Sequence, residues 1–308
     1  QFADSIKMTQ MSESQEKQEE WKRENLKSFQ ENLNEIQQID EQVIESLIGY
    51  GQSISIDNIQ AAEMLMLDRG SLFKQIIQKS EPAKTDEDTS SEIEDEDAAE
   101  STIVNAAEKT ILEKSGQFIN ALTDKEHANG SYKEMIDEAG KAVEKIIYKK
   151  GSSRIDVKAA QSLYKGLTLA GNLAREENYE VPMNIKGEIT SVNLKIYHNA
   201  SETGKVSVTF ETEKFGKVAA EFDVTDKSIS GMVVFENAAG KTDMEAIDQT
   251  IKNQLSGDGG KAVRISLVQS KTLDLNKFGQ DRQVNGTDSK ASTAELYQTA
   301  KAFLTALK

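Results

Sequence analysis

The sequence has no cysteine, which excludes disulfides, thiolate nucleophiles and thiolate metal ligands. Its two histidines, His127 and His198, are too few for a His-rich metal site. Prolines number two and aromatic residues make up 6% of 308, while 29% are charged. Such a chain does not read as one large core, and its length suits two domains. No apolar run approaches the roughly 18 residues of a membrane span, and no secretory h-region opens the chain, so no membrane insertion is expected. The first residue is Gln1 rather than Met, which points to a shortened or processed sequence.

The charge is present but unevenly placed. The formal net charge is −15, yet from Val181 onward 16 Lys and Arg stand against 16 Asp and Glu. The whole acidic excess therefore lies before Val181. Such a forepart repels phosphate backbones and anionic lipid, which argues against a nucleic-acid partner.

Four segments alternate apolar and polar residues with the period of two expected of half-buried strands. They carry Val192, Leu194 and Ile196; Val206, Val208 and Phe210; Val218, Ala220, Phe222 and Val224; Ile229, Gly231, Val233 and Phe235. The breaks at 199–204, 214–216 and 225–227 are short and turn-rich, so an antiparallel meander is expected. Met244, Ile247, Ile251 and Leu255 then form one stripe of a helix. Thr242 and Glu245 have capping-box spacing at its start, and Val263, Ile265 and Leu267 read as a further strand.

Ahead of the sheet the pattern is helical. Leu26, Phe29, Leu33, Ile36, Ile39, Val43 and Leu47 recur at spacings of three and four, and a second helix is expected after Ile56. Asp57 is read as its N-cap, with Ala61, Ala62, Leu65 and Leu72 along it. These stripes fit either a self-burying helical hairpin or a partner-binding coiled coil. Residues 81–100 hold many acids and one large aliphatic, Ile93, the composition of a solvated linker. Their acidic run lacks the alternation and turn glycine of a calcium loop. Helical spacing returns at Ile103 to Ile111 and at Met135 to Ile147. A weak internal repeat relates Gly51, Ile56, Asp57, Ala61, Ala62 and Leu65 to Gly151, Ile155, Asp156, Ala159, Ala160 and Leu163, each copy read as a helix ended by Gly and an Asp capping the next.

The expected fold class is α+β: helical hairpins, then a mostly antiparallel sheet with one packed helix, then a C-terminal helix. In order, a helical segment covers 1–80, an acidic linker 81–100, a second helical segment 101–181, the sheet domain 182–270 with Pro182 at its boundary, and a polar connection with an amphipathic helix 271–308. Ser292 and Glu295 are read as capping that last helix, which either docks on the fold or is held for a partner.

No reaction can be read from these residues. Gly240, Lys241 and Thr242 resemble the end of a phosphate-binding loop, but Phe235 stands where its first glycine belongs. His198 ends a strand without a sequence-adjacent acid or nucleophile and reads as a surface residue. Glu211 and Glu221 face outward among many other carboxylates, so no glycosidase pair stands out. The Asn-x-Ser/Thr triplets at Asn129, Asn199 and Asn285 matter only in a glycosylating compartment. No catalytic residue, cofactor site, metal site or small-molecule substrate is assigned. The turn Lys214, Phe215, Gly216, Lys217, an apolar ring among lysines, is the candidate partner-binding surface; the alternative is a Phe tucked into the core.

The run from Ser191 to Val224, the segment ISGMVVFENAAG, the helix DMEAIDQTIKNQL and the strand AVRISLV together resemble the C-terminal domain of bacterial flagellar hook-length control proteins. The resemblance spans about Met183 to Leu267. Phe215, Gly216 and Val218 stand where that family has a Leu-Gly-x-Val segment, though the usual Leu-x-Pro approach is absent. It implies a cytoplasmic protein, itself exportable through the flagellar apparatus, whose C-terminal domain binds an export-gate component and switches substrate class. The competing expectation is a helical scaffold with the sheet domain as a passive end-cap; an enzyme would need a pocket of convergent polar groups.

Overall fold

In the computed structural model, residues 41–49, 53–66, 71–80, 96–148, 154–198, 204–256, 262–279 and 293–308 are described. The helix expected from Trp21 is represented only by its end, and residues 81–95 of the expected linker lie outside this set. The chain divides into two compact units, 1–59 and 60–308.

In the first unit, helix α1 (Glu41–Gly49) buries Val43 and Leu47, one turn apart, and leaves Ile48 exposed. Helix α2 (Ile56–Met66) begins one residue before Asp57, so the expected cap is corrected. Ser55 takes that place, its hydroxyl accepting the Asn58 N–H at 3.3 Å.

The second unit is α+β throughout. Its helices are α3 (Ser71–Ser80), α4 (Glu96–Ala121), α5 (Lys125–Tyr148) and α6 (Arg154–Arg175). Leu72 belongs to α3, a separate helix, where it is buried with Phe73, Ile76 and Ile77. Helix α4 starts inside the acidic stretch, at Glu96. Asp156 is the third residue of α6 rather than a cap. Helices α4 and α5 lie side by side, as do α5 and α6. The turn between the first two is fixed by Asp124, whose carboxylate accepts the His127 N–H at 3.0 Å. That backbone hydrogen bond, with the His127 ring beside it, holds the Asp124 carboxyl below its usual range.

Six strands follow: β1 (Asn178–Ile185), β2 (Glu188–His198), β3 (Gly204–Thr212), β4 (Gly216–Val224), β5 (Ser228–Phe235) and β6 (Ala262–Gln269). They lie in sequence order; the first five pair antiparallel, and β6 joins β5 in parallel after the crossover helix α7 (Lys241–Ser256). Strand β1 was not expected as a strand, and Pro182 sits within it, opposite Ser191. Thr242 is the second residue of α7, which a 3-10 turn at Ala238–Gly240 leads into, so it is not an N-cap.

The apolar face of the sheet is continuous. Val206 lies between Ile196 and Phe222, and Val208 between Leu194 and Ala220. Opposite Phe222 stands Gly231, where a Cβ would come within 2.4 Å of the ring. This face is covered by α7, which buries Met244, Ile247, Ile251 and Leu255, and by the C-terminal helix α8 (Thr293–Leu307). Helix α8 contacts β2, β3 and β4, with Phe303 edge-on to Phe222 at 5.5 Å. Leu296, Phe303, Leu304 and Leu307 are at most 1% exposed. At about 1.5 to 3 kcal/mol per buried side chain, they bind α8 firmly to the sheet. The alternative of a free C-terminal helix is thereby set aside, while Ser292 lies outside the described residues.

The other face is polar and carries a strap. Residues 270–279, where the expected polar connection begins, cross it: Leu273, Leu275 and Phe278 pack on Ala219 and Val234. The Gly279 N–H donates to Glu221 at 3.0 Å, and the Tyr197 hydroxyl donates to the Gly279 carbonyl.

Candidate functional site

The turn proposed from sequence is built inward. Gly216 has φ of +64°, a left-handed conformation that admits glycine at little cost. Phe215 follows the turn into the core, fully buried and edge-on to Phe210 at 6.5 Å. Its N–H donates to Thr212 Oγ1 at 3.1 Å, and its carbonyl accepts from Asn237 at 2.9 Å. Lys214 is engaged with Asp243 of α7 at 2.5 Å, which lowers the Asp243 carboxyl. Lys217 stands opposite Glu211 in the β3–β4 ladder. Of the four residues, Phe215 thus has no exposed surface and Gly216 serves the turn, which leaves the two lysines at the surface.

The structure assembles a different cluster, which has no local signal in sequence. Glu177, in the turn between α6 and β1, has φ of +56° and is 5% exposed. Its carboxylate accepts the Tyr297 hydroxyl at 2.5 Å and lies 2.9 Å from His198 Nε2 and 3.6 Å from Lys125 Nζ. One side chain thus joins α8, the end of β2 and the start of α5. His198 is exposed, as its reading as a surface residue expects, but it is not without a partner: Glu177 lies 21 positions away.

Beside it lies an aromatic knot. Phe118, Tyr132 and Tyr179 stand at centroid separations of 5.1 to 5.4 Å. Tyr132 donates to the Glu180 carbonyl at 3.0 Å and accepts the Glu180 N–H at 3.1 Å, so it caps both backbone groups of a β1 residue. Tyr179 donates to Asn129 at 2.8 Å. Burial pushes the hydroxyls of Tyr132, Tyr179 and Tyr297 above the ordinary tyrosine range, and the Glu177 carboxylate adds to the shift of Tyr297. The three tyrosine hydroxyls and the Glu177 carboxylate each have a hydrogen-bond partner within the fold, which is what a clamp requires. A cleft of about 410 Å³ lies elsewhere, between Leu122, Ile229, Leu255 and the α8 residues Gln298, Ala302 and Thr305. Among the described residues no group of three or more His, Asp or Glu converges as a metal site, and no helix is long and apolar enough to cross a membrane.

The two edges of the sheet differ. Strand β1 is buried from Tyr179 to Met183 and is contacted by α3, α4 and α6. Strand β6 pairs with β5 over eight consecutive residues, and among the described residues no element lies on its outer side. Helix α7 covers one face of it, so that Ile265 is 8% exposed. On the other face Arg264, Ser266 and Val268 are exposed, next to Met232 of β5. Val268 and Met232 are 39% and 40% exposed.

No family model, curated protein or solved structure matches the chain.

Proposed function

We propose that the chain acts by protein contact rather than by catalysis, as a hook-length control or export-switch accessory of a flagellar apparatus, with its α+β unit as the recognition module. The observation that carries the contact reading is the open β6 edge. A strand with an unpaired outer side is a template for a further strand. Natural edges are blunted by charged side chains, proline or short length, and β6 runs eight residues with no proline and a single charge, Arg264. An extended segment of the partner adds there as a seventh strand: main-chain hydrogen bonds supply affinity, while Val268 and Met232 supply an apolar contact. The pathway is supported by the resemblance to hook-length control domains, whose implied partner is a cytoplasmic export-gate component.

The test is binding of the purified full-length chain to the cytoplasmic domain of a flagellar export-gate component. Ser266→Lys with Val268→Lys should weaken binding at least tenfold while leaving the circular dichroism unchanged. Equal binding by both proteins would refute the edge as the recognition surface, and no binding by either would refute the flagellar assignment. A second reading, a helical scaffold, is favoured by Ile48 and Ile54, which are 61% and 57% exposed. Under it, Ile48→Glu with Ile54→Glu abolishes complex formation and the β6 variant does not.

A further inference from the structure

We propose that a second copy of this chain occupies the β6 edge when no other partner does, pairing β6 with β6 antiparallel about a twofold axis at Ile265. This rests on reading β6 as the recognition edge and names an occupant for it. The argument is one of register. Residues facing each other in an antiparallel pair lie on the same side of the sheet, so only registers that keep α7-side residues opposite one another are allowed. Centring on Ile265 sets Val263 against Leu267 on the side covered by α7. On the open side it sets Arg264 against Ser266 and Ala262 against Val268. Every apolar side chain meets an apolar one, and the one charged residue of the strand, Arg264, meets a hydroxyl.

The neighbouring registers are worse. Centring on Arg264 places two guanidinium groups face to face, a destabilising like-charge pair. Centring on Ser266 opposes Val263 to Gln269 and Arg264 to Val268. The strand is thus self-complementary in one register only, which is the form an isologous dimer contact takes. The part of the chain that carries the strand is electrically balanced, with 16 basic against 16 acidic residues from Val181 onward, so the excess of −15 borne by the residues before it is the only net repulsion between two copies. The opposite edge cannot substitute, since β1 carries Pro182 and is packed under helices. The result is one continuous sheet through two copies, which an added partner strand must displace.

The chain's lack of cysteine makes the register directly testable, because any introduced thiol is the only one present. Residues directly opposite have Cα atoms about 4.5 to 5.5 Å apart, within disulfide reach. In the proposed register residue 264 of one copy faces residue 266 of the other. An equimolar mixture of full-length Arg264→Cys and Ser266→Cys, exposed to a mild copper oxidant, should therefore cross-link at least fivefold more than either variant alone. Sedimentation equilibrium of the unaltered chain should show twice the monomer mass as concentration rises, and Val268→Lys should return it to one chain. A single-chain mass at every concentration overturns the proposal, as does cross-linking of either variant alone to the level of the mixture. The two readings fail separately. A monomer whose binding to the export-gate domain still depends on β6 removes the self-pairing and keeps the recognition edge. A β6-dependent dimer whose gate binding ignores β6 does the reverse.

Discussion

The two outer strands of the sheet make the most informative comparison in the molecule. Strand β1 is entered through a left-handed turn at Glu177, pinned by Tyr132 on both backbone groups of Glu180 and covered by three helices. Strand β6 is held on one side by β5, covered on one face by α7 and otherwise open. Both are terminal strands of one sheet, so the difference lies in what surrounds them and not in their position. Stability should therefore respond to changes around β1 and hardly at all to changes on the open face of β6, and binding should respond the other way.

Alkaline pH should break the β1 side with the largest effect. The hydroxyls of Tyr132, Tyr179 and Tyr297 have folded-state pKa values raised above the ordinary 10.0 by burial. The unfolded chain ionises these groups near pH 10 and the folded one does not, so stability is intact below pH 10 and falls as pH rises beyond it. Tyrosinate absorbance from these groups should therefore appear together with loss of helical circular dichroism. Ionisation of all the tyrosines with the helices intact would contradict their placement.

Next in size is Phe118→Ala. Phe118 is fully buried against Tyr132 and Tyr179, so its removal opens a cavity beneath β1, at about 3 to 5 kcal/mol. Urea unfolding measures the loss, and native-state hydrogen exchange locates it. Amides of β1 should lose protection first, with those of β5 and β6 following only on global unfolding.

How far these edges were legible in the sequence follows from the physics of each. Strands β2 to β6 and helix α7 show as alternation or as a stripe because each turns an apolar face to the core, and even where the other face of β2 and β3 is also buried it carries polar residues such as Ser191, Asn193, Ser207 and Thr209. Strand β1 has the same alternation in Tyr179, Val181, Met183 and Ile185, but Pro182 suggested a boundary. A proline is tolerated there because β1 is an outer strand. Helix α3 has a stripe of its own in Leu72, Phe73, Ile76 and Ile77, but Leu72 read as a continuation of the helix before it, because Leu65 stands seven residues earlier, two helical turns away. The strap at 270–279 uses only Leu273, Leu275 and Phe278 to hold to the sheet, too little apolar content to stand out from a loop. The Glu177 clamp was illegible in principle: Tyr297 lies 120 residues from Glu177, and nothing local marks either residue as a partner of the other.

Glu177 itself gives a smaller effect with a sharper sign. Glu177→Ala leaves the buried Tyr297 hydroxyl without its acceptor, a loss of about 1 to 3 kcal/mol. Glu177→Gly loses the same acceptor but relieves the left-handed backbone at φ of +56°, so it should be milder by about 1 kcal/mol. Thermal unfolding of the pair decides the matter. If the alanine and glycine variants melt together, the left-handed turn carries no strain and the clamp acts through its carboxylate alone.

The smallest stability effect is expected from Val268→Lys, and it is the change that separates the two edges most cleanly. Val268 is 39% exposed on the open face of β6, so the lysine stem can lie along Met232 with its ammonium in water, and the change in unfolding free energy should stay within about 0.5 kcal/mol. The same lysine places a charge beside the free hydrogen-bonding side of the strand, the device by which natural sheets discourage edge pairing. Any added strand must then bury or displace that charge, whether it comes from a second copy or from another protein. At concentrations low enough for the unaltered chain to be a single chain, unfolding of Val268→Lys should thus superimpose on its unfolding, while at higher concentration the variant's dimer and its export-gate binding both weaken. A variant that melts several degrees lower would show that β6 is part of the core after all, and the contrast with β1 would collapse.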